Sequence, residues 1–245
     1  MRFLLATLLL TFIQSQNLQA GILLSEDFDG GTVGVQFTTS QPDAGSLAGN
    51  DYFGVFNENE LGNGNSIFFN NTENNFYAAQ DIDSAGGPNP FMMNWAGIDI
   101  STFNNLNLSF FIAEDDAISG EDWDSDTSFR VEVNIDGGGF FPIFAVEGTG
   151  GNTEPLVDTD FDGTGDGAAI TNVFTQFNAP IGNGRALDIR FVMDNLTSSD
   201  EDIAFDRILL TGDAVPVPEP ATCGIFAFLG GVVAFRKLRA GKQAE

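Results

Sequence analysis

Carboxylates carry whatever chemistry this chain has. Their sharpest cluster is Asp158-Thr-Asp160-Phe-Asp162-Gly163-Thr164-Gly-Asp166-Gly167. Acids stand at the first, third, fifth and ninth places of the run, with a turn glycine at the sixth. In a tightly turned loop alternate side chains point inward, and the carbonyl of Thr164 adds a backbone oxygen. Hard oxygens gathered in this way suit Ca²⁺, and acids so close repel one another without a cation. The twelfth place holds Ala169 rather than a bidentate Glu, and no helical pattern flanks the run. Either another carboxylate completes the shell, or the run is a solvated Asp/Gly turn.

Two further acidic sets stand elsewhere. One is split between the ends of the domain, Glu26-Asp-Phe-Asp-Gly30 near the start and Glu201-Asp-Ile-Ala-Phe-Asp206 near the end. Pairing of the first and last strands would bring Glu26 and Asp206 together as a weaker second metal site. Otherwise they are exposed strand-end acids. The other set is Glu114-Asp-Asp116 and Glu121-Asp-Trp123-Asp-Ser-Asp126. Trp123 among carboxylates suits stacking on a sugar ring whose hydroxyls the acids bind. It equally suits a tryptophan tucked under the rim of the fold with an acidic loop around it. A pair of these acids is also what glycoside hydrolysis needs, but a chain so rich in acids offers many such pairs.

Composition removes most other chemistry. Between Gly21 and Glu219 there are 34 acidic residues against four arginines, a net of −30, with no Lys and no His. The sole cysteine, Cys223, lies beyond that segment. Ser-His-Asp and Cys-His catalysis, Schiff bases and imidazole-ligated zinc are therefore excluded. No glycine-rich phosphate loop stands between a strand and a helix. The expected domain is not an enzyme. Its charge repels nucleic acid and anionic lipid, while 25 Phe and a 42% hydrophobic content argue for a packed core rather than an acidic disordered chain.

The elements that must hold these acids repeat with period two. Phe129, Val131, Val133 and Ile135 alternate with Arg130, Glu132 and Asn134, and Leu187, Ile189, Phe191 and Met193 alternate with Asp188 and Arg190. Residues 106–113 alternate more loosely. Further strands are expected over 22–28, 33–38, 52–56, 66–70, 140–146, 173–178 and 203–211. Asp136-Gly-Gly-Gly139 suits a hairpin turn. About ten short strands at this spacing predict an all-β fold, a two-sheet antiparallel sandwich of the jelly-roll kind, over residues 21–212. Residues 213–217 read as a linker.

The ends look like addresses. Met1-Arg2 and the apolar run to Ile13, with Ala20 small at a cleavage position, read as a secretory signal peptide over residues 1–20. Residues 218–245 begin with Pro218-Glu219-Pro220. The apolar run 221–235 follows, and the basic tail 236–242 opens on Arg236 and Lys237. As a helix the apolar run reaches about 22 Å against a hydrocarbon core of about 30 Å, and the basic end belongs on the cytoplasmic side. This order of motif, short helix and basic stop resembles the PEP-CTERM sorting signal of Gram-negative bacteria, which an exosortase recognises and cleaves near the Pro-Glu-Pro. A plain C-terminal anchor behind a proline-rich stalk is the alternative.

The Asp158–Asp166 run also resembles the isolated Asp-rich calcium loops of dockerin and thrombospondin repeats. The opening Glu-Asp-Phe-Asp-Gly and closing Asp-Ile-Ala-Phe-Asp-Arg-Ile-Leu-Leu-Thr-Gly are similar to jelly rolls of the carbohydrate-binding-module type. That resemblance implies a structural calcium between the first and last strands. Together these features predict an exported protein, transiently anchored at the inner membrane and then processed. It would serve at the cell surface or in an exopolysaccharide or biofilm matrix as a structural or adhesive component holding calcium. A carbohydrate-binding module is the second expectation, and a glycoside hydrolase a remote third.

Overall fold

The computed structural model describes residues 20–46, 51–61, 69–115 and 123–216. Among them short strands follow one another: β1 (Ala20–Glu26), β2 (Thr38–Thr39), β3 (Ala44–Ser46), β4 (Asp51–Asn57), β5 (Asn75–Gln80), β6 (Phe91–Asp99) and β7 (Phe103–Ala113). The second half adds β8 (Ser128–Ile135), β9 (Phe141–Glu147), β10 (Leu156–Val157), β11 (Thr175–Ile181), β12 (Ala186–Asp194) and β13 (Asp202–Ala214). One helical turn, α1 (Glu58–Leu61), follows β4.

The strands form two antiparallel sheets in a sandwich-like, all-β arrangement. Sheet A has the order β11-β7-β13-β5-β4-β3, and β1 pairs with β13 where β5 leaves it. Sheet B has the order β10-β9-β8-β12-β6-β2. β13 is the hub. It pairs with β7 on one edge, and with β5 and then β1 on the other. The first and last strands therefore do pair, with Glu26 opposite Ile208.

Inward residues of both sheets make one aromatic core. Phe205 of β13 lies 5.2 Å from Tyr77 of β5, stacked, and 5.2 Å from Phe191 of β12, edge-on. Phe191 in turn meets Trp95 of β6 and Phe129 of β8 at 5.2 and 5.4 Å. Such offset and edge contacts add to the area these rings bury. A second cluster covers the outer face of sheet A, where Tyr52, Phe76, Ala78, Ala113 and Ala204 pack under Leu61, Phe69 and Phe174 from the connections.

Several boundaries differ from those expected. The strand expected over 33–38 is reduced to a bridge at Val33 and the two residues of β2. β5 and β6 lie in stretches that carried no strand expectation. β5 is buried on both faces, Phe76 through Gln80, so it shows no alternation. β13 continues to Ala214, inside the stretch read as linker. Asp136 and Gly137 take positive φ of 53° and 74° in the turn after β8, the conformation that suits glycine there. The signal-peptide residues before Ala20, the Pro218-Glu219-Pro220 motif, the apolar run, Arg236, Lys237, Glu121 and Asp122 lie outside the described residues, as does most of the 66–70 stretch. Among the described residues no helix is long and apolar enough to cross a membrane.

Candidate functional site

β10 ends at Val157, and Asp158 turns the chain out over the edge of sheet B. Asp158 is buried, and its carboxylate accepts three backbone N–H groups: Asp160 at 3.2 Å, Phe161 at 2.7 Å and Gly163 at 2.9 Å. The chain is thereby wrapped around one anion, with Phe161 and Gly163 at φ of 62° and 85°. Carboxylate oxygens of Asp158, Asp160 and Asp162 come within 4.8 Å of one another, the one such group of three acids among the described residues. Asp160 and Asp162 are exposed and face water. This donor set, all carboxylate oxygen and open on one side, is of the kind that Ca²⁺ takes.

Two expected ligands are otherwise engaged or less defined. Asp166 turns back to accept the backbone N–H and hydroxyl of Thr159 at 3.0 and 2.7 Å, and these bonds hold its carboxyl below the usual range. It fastens the base of the loop and stands outside the group of three. Thr164 is exposed in the turn. Gly165 passes so close to β10 that an added Cβ would meet Leu156 at 2.7 Å and its carbonyl oxygen at 2.8 Å, so no larger residue fits there.

The loop forms one lip of a cleft of about 280 Å³ lined by Arg130, Pro142, Ala145, Glu147, Asp158, Phe161, Asp162 and Gly163. Strand register explains why these residues meet. Arg130 of β8 stands opposite Ala145 of β9, whose carbonyl accepts the N–H of Asp158 at 3.0 Å. The same outward face carries Arg190 and Asp194 of β12. Arg130 meets Glu132 at 3.4 Å and Asp194 at 3.0 Å, and Arg190 Nε donates to Glu132 at 2.6 Å. Arg190 also lies over the Phe140 ring at 3.9 Å. Burial pushes the Glu147 carboxyl up to about 7, with Arg130 opposing and the charges of Asp158 and Asp194 adding to the rise. Alternation in the sequence put Arg130 with Glu132, and Asp188 with Arg190, on outward faces. It gave no sign that β8, β9 and β12 would join them beside the Asp158 loop.

The two residues of the second expected metal pair, Glu26 and Asp206, have partners of their own. Glu26 accepts Phe28 N–H at 3.0 Å and the Thr32 hydroxyl at 2.7 Å, closing its own turn. Asp206 meets Arg207 Nε at 3.3 Å, and that guanidinium lies 3.7 Å from the Phe111 centroid. Burial lifts Asp206 to about 7 against the pull of Arg207, with Asp29 and Glu73 adding. Among the described residues Glu26 and Asp206 do not join a third acid within metal-ligand reach. Of the two readings open for Trp123, the structure takes the one tucked under the rim and not the sugar platform. The residue is 0% exposed and donates Nε1–H to the Asp202 carbonyl at 2.8 Å, so no ring face remains for a sugar.

No family model matches the chain, and no curated protein matches it. Solved structures are similar at low identity. The K3 cleaved adhesin domain of Lys-gingipain from Porphyromonas gingivalis w83 is 11% identical with a TM-score of 0.39, covering 79% of this chain and 99% of that one. The CBM22-1 xylan-binding domain from Paenibacillus barcinonensis Xyn10C is 11% identical at 0.42, covering 81% and 97%. A cyclase from Fischerella sp. TAU is 13% identical at 0.41, covering 84% and 94%. Likenesses this loose assign no function.

Proposed function

We propose that this chain is an exported, non-catalytic surface or matrix protein of a Gram-negative bacterium, with an adhesive β-sandwich that binds Ca²⁺ in the Asp158–Asp166 loop. The observation that carries the calcium reading is the convergence of Asp158, Asp160 and Asp162 within 4.8 Å on an open loop. A cation there offsets the mutual repulsion of three carboxylates in a chain of net charge −26. It also stiffens the lip that carries Phe161, which is 46% exposed beside the cleft. The Pro218-Glu219-Pro220 motif, the short apolar run and the Arg236-Lys237 stop support processing by an exosortase and release into the matrix.

A glycan of the exopolysaccharide or cell surface is the second reading, favoured by that cleft. Its lining joins an exposed phenyl ring, a guanidinium and carboxylates, groups that stack on and hydrogen-bond a sugar ring. Trp123 has no part in it.

Chymotryptic cleavage after Phe161 tests the calcium reading at the loop itself. Millimolar Ca²⁺ should slow that cleavage at least tenfold relative to sodium chloride of equal ionic strength. The double change Asp160→Asn and Asp162→Asn should abolish the protection. Equal cleavage in both salts would leave the loop a solvated turn. Intact mass of the extracellular protein tests the tail, since a chain retaining Arg236 to Glu245 has not been sorted in this way. A glycan array, with Arg130→Ala as the control, tests the cleft.

A further inference from the structure

On the outer face of sheet A, strand register carries a row of polar side chains into the protein instead of into water. Tyr52 of β4 stands opposite Gln80 of β5, and Gln80 opposite Asp202 of β13. Asp115, two residues past β7, closes the row by donating its backbone N–H to Asp202 Oδ1 at 2.9 Å. Exposure along the row is 0%, 3%, 3% and 7% for Tyr52, Gln80, Asp202 and Asp115. The apolar cluster of Phe76, Ala78, Ala113, Phe174 and Ala204 borders it.

Two oxygens in this row, Tyr52 Oη and Gln80 Oε1, have no hydrogen-bond partner. Turning the Gln80 amide does not cure this. Its Nε2 already donates to the Ser199 carbonyl, and a flip would set oxygen against oxygen. A buried polar atom left in this state has given up water without gaining a partner, and the fold sets two of them on neighbouring strands beside two carboxylates. Burial, and then the charges of Asp202 and Asp115, raise the Tyr52 pKa well above the ordinary tyrosine value. Glu201 plays another part. Its carboxylate accepts the N–H groups of Asp124, Thr197 and Ser198 and the Thr127 hydroxyl, so it ties the rim together.

We propose that this row is a buried site for a hard divalent cation, Ca²⁺, taken by the carboxylates of Asp202 and Asp115, the side-chain carbonyl of Gln80 and the phenolic oxygen of Tyr52. Mixed carboxylate and neutral oxygens are the ligand set calcium accepts. The site gives both unpartnered oxygens a role and joins β4, β5, β7 and β13 through one ion. It lies on the outer face of the opposite sheet from the Asp158 loop and stands whether or not that loop takes a cation.

Trp123 provides the probe. Its indole is bonded to the Asp202 carbonyl, so a terbium ion in this row is excited through tryptophan. In the Asp160→Asn, Asp162→Asn protein, terbium should give saturable emission under tryptophan excitation, displaced by Ca²⁺. Asp202→Asn should weaken that binding at least tenfold, and Gln80→Met or Tyr52→Phe several-fold with the melting transition retained. Absence of calcium-displaceable emission overturns the proposal. So does unchanged affinity in Gln80→Met, which decides the matter if Asp202→Asn does not fold. Loss of the Phe161 cleavage protection reports on the other loop alone, so the two sites fail separately.

Discussion

The two outer faces of the sandwich are built by the same alternation and end in opposite states. On sheet B the outward residues Arg130, Arg190 and Asp194 stay partly exposed, and the two arginines pair with Asp194 and with Glu132, which lies buried between them. On sheet A the corresponding positions are Tyr52, Phe76, Gln80, Ala78, Ala113, Ala204 and Asp202, all buried. What differs is the cover. Leu61, Phe69 and Phe174 lie over sheet A, while among the described residues the outward face of sheet B carries the half-exposed Arg130 and Arg190, with the Asp158 loop at its edge. The contrast shows how an acidic chain spends its few arginines. Of the four between Gly21 and Glu219, two stand together on the sheet B face, where pairing is worth little for stability but holds side chains in place for contact with a ligand. On the covered face burial turns each polar group into a demand for a partner.

The largest effect expected from breaking this contrast is on the covered face. Phe76→Ala removes a ring that meets Phe69 at 5.6 Å and Phe174 at 5.4 Å. It should cost about 3–5 kcal/mol. For a domain of this size that lowers Tm by roughly 6–20 °C in a thermal melt. Next comes Glu201→Gln, which keeps the shape but removes the charge that draws in three N–H groups and a hydroxyl. It should cost about 2 kcal/mol, read as a shift of the denaturant midpoint at unchanged slope.

A middle-sized effect concerns pH, because each face carries one carboxyl lifted to about 7, Glu147 on sheet B and Asp206 on sheet A. Both keep a proton in the folded state at pH values where the unfolded chain has lost it. Their contribution to stability is therefore full below the ordinary carboxylate range and is lost as pH rises through about 7. Tm should fall between pH 5 and pH 8, measured at fixed ionic strength. Glu147→Gln and Asp206→Asn should each flatten the slope. Calcium bound at the Asp158 loop should shrink the Glu147 part alone, since the Asp158 charge is one cause of that rise. A slope that neither variant changes would break the comparison. The smallest effect belongs to the open face. Arg190→Ala should cost no more than about 1 kcal/mol, and a larger loss of denaturation midpoint would show that the ion pairs of sheet B hold the fold.

The sequence by itself determined the class of fold, because strands with one wet face must alternate, and β8 and β12 do so cleanly in Phe129-Arg130-Val131-Glu132 and Ile189-Arg190-Phe191. It also determined the exclusions, since no packing can supply an imidazole or a lysine that the chain lacks there. The Asp158 loop was legible for a similar reason. Its acids are local, and Asp158 needs only the N–H groups of the next five residues to shape the turn. Tertiary structure alone decided the rest. β5 was hidden because cover on both faces erases the polar half of the alternation. Glu26 and Asp206 came near in register yet turned to Thr32 and Arg207, a choice of rotamer and neighbour that spacing does not encode. Asp115 and Asp202 stand 87 residues apart and share a buried bond, and Trp123 looked the same in sequence whether it faced a sugar or the core. Burial is a property of what lies on the other side of a side chain. For these residues that other side is a different strand.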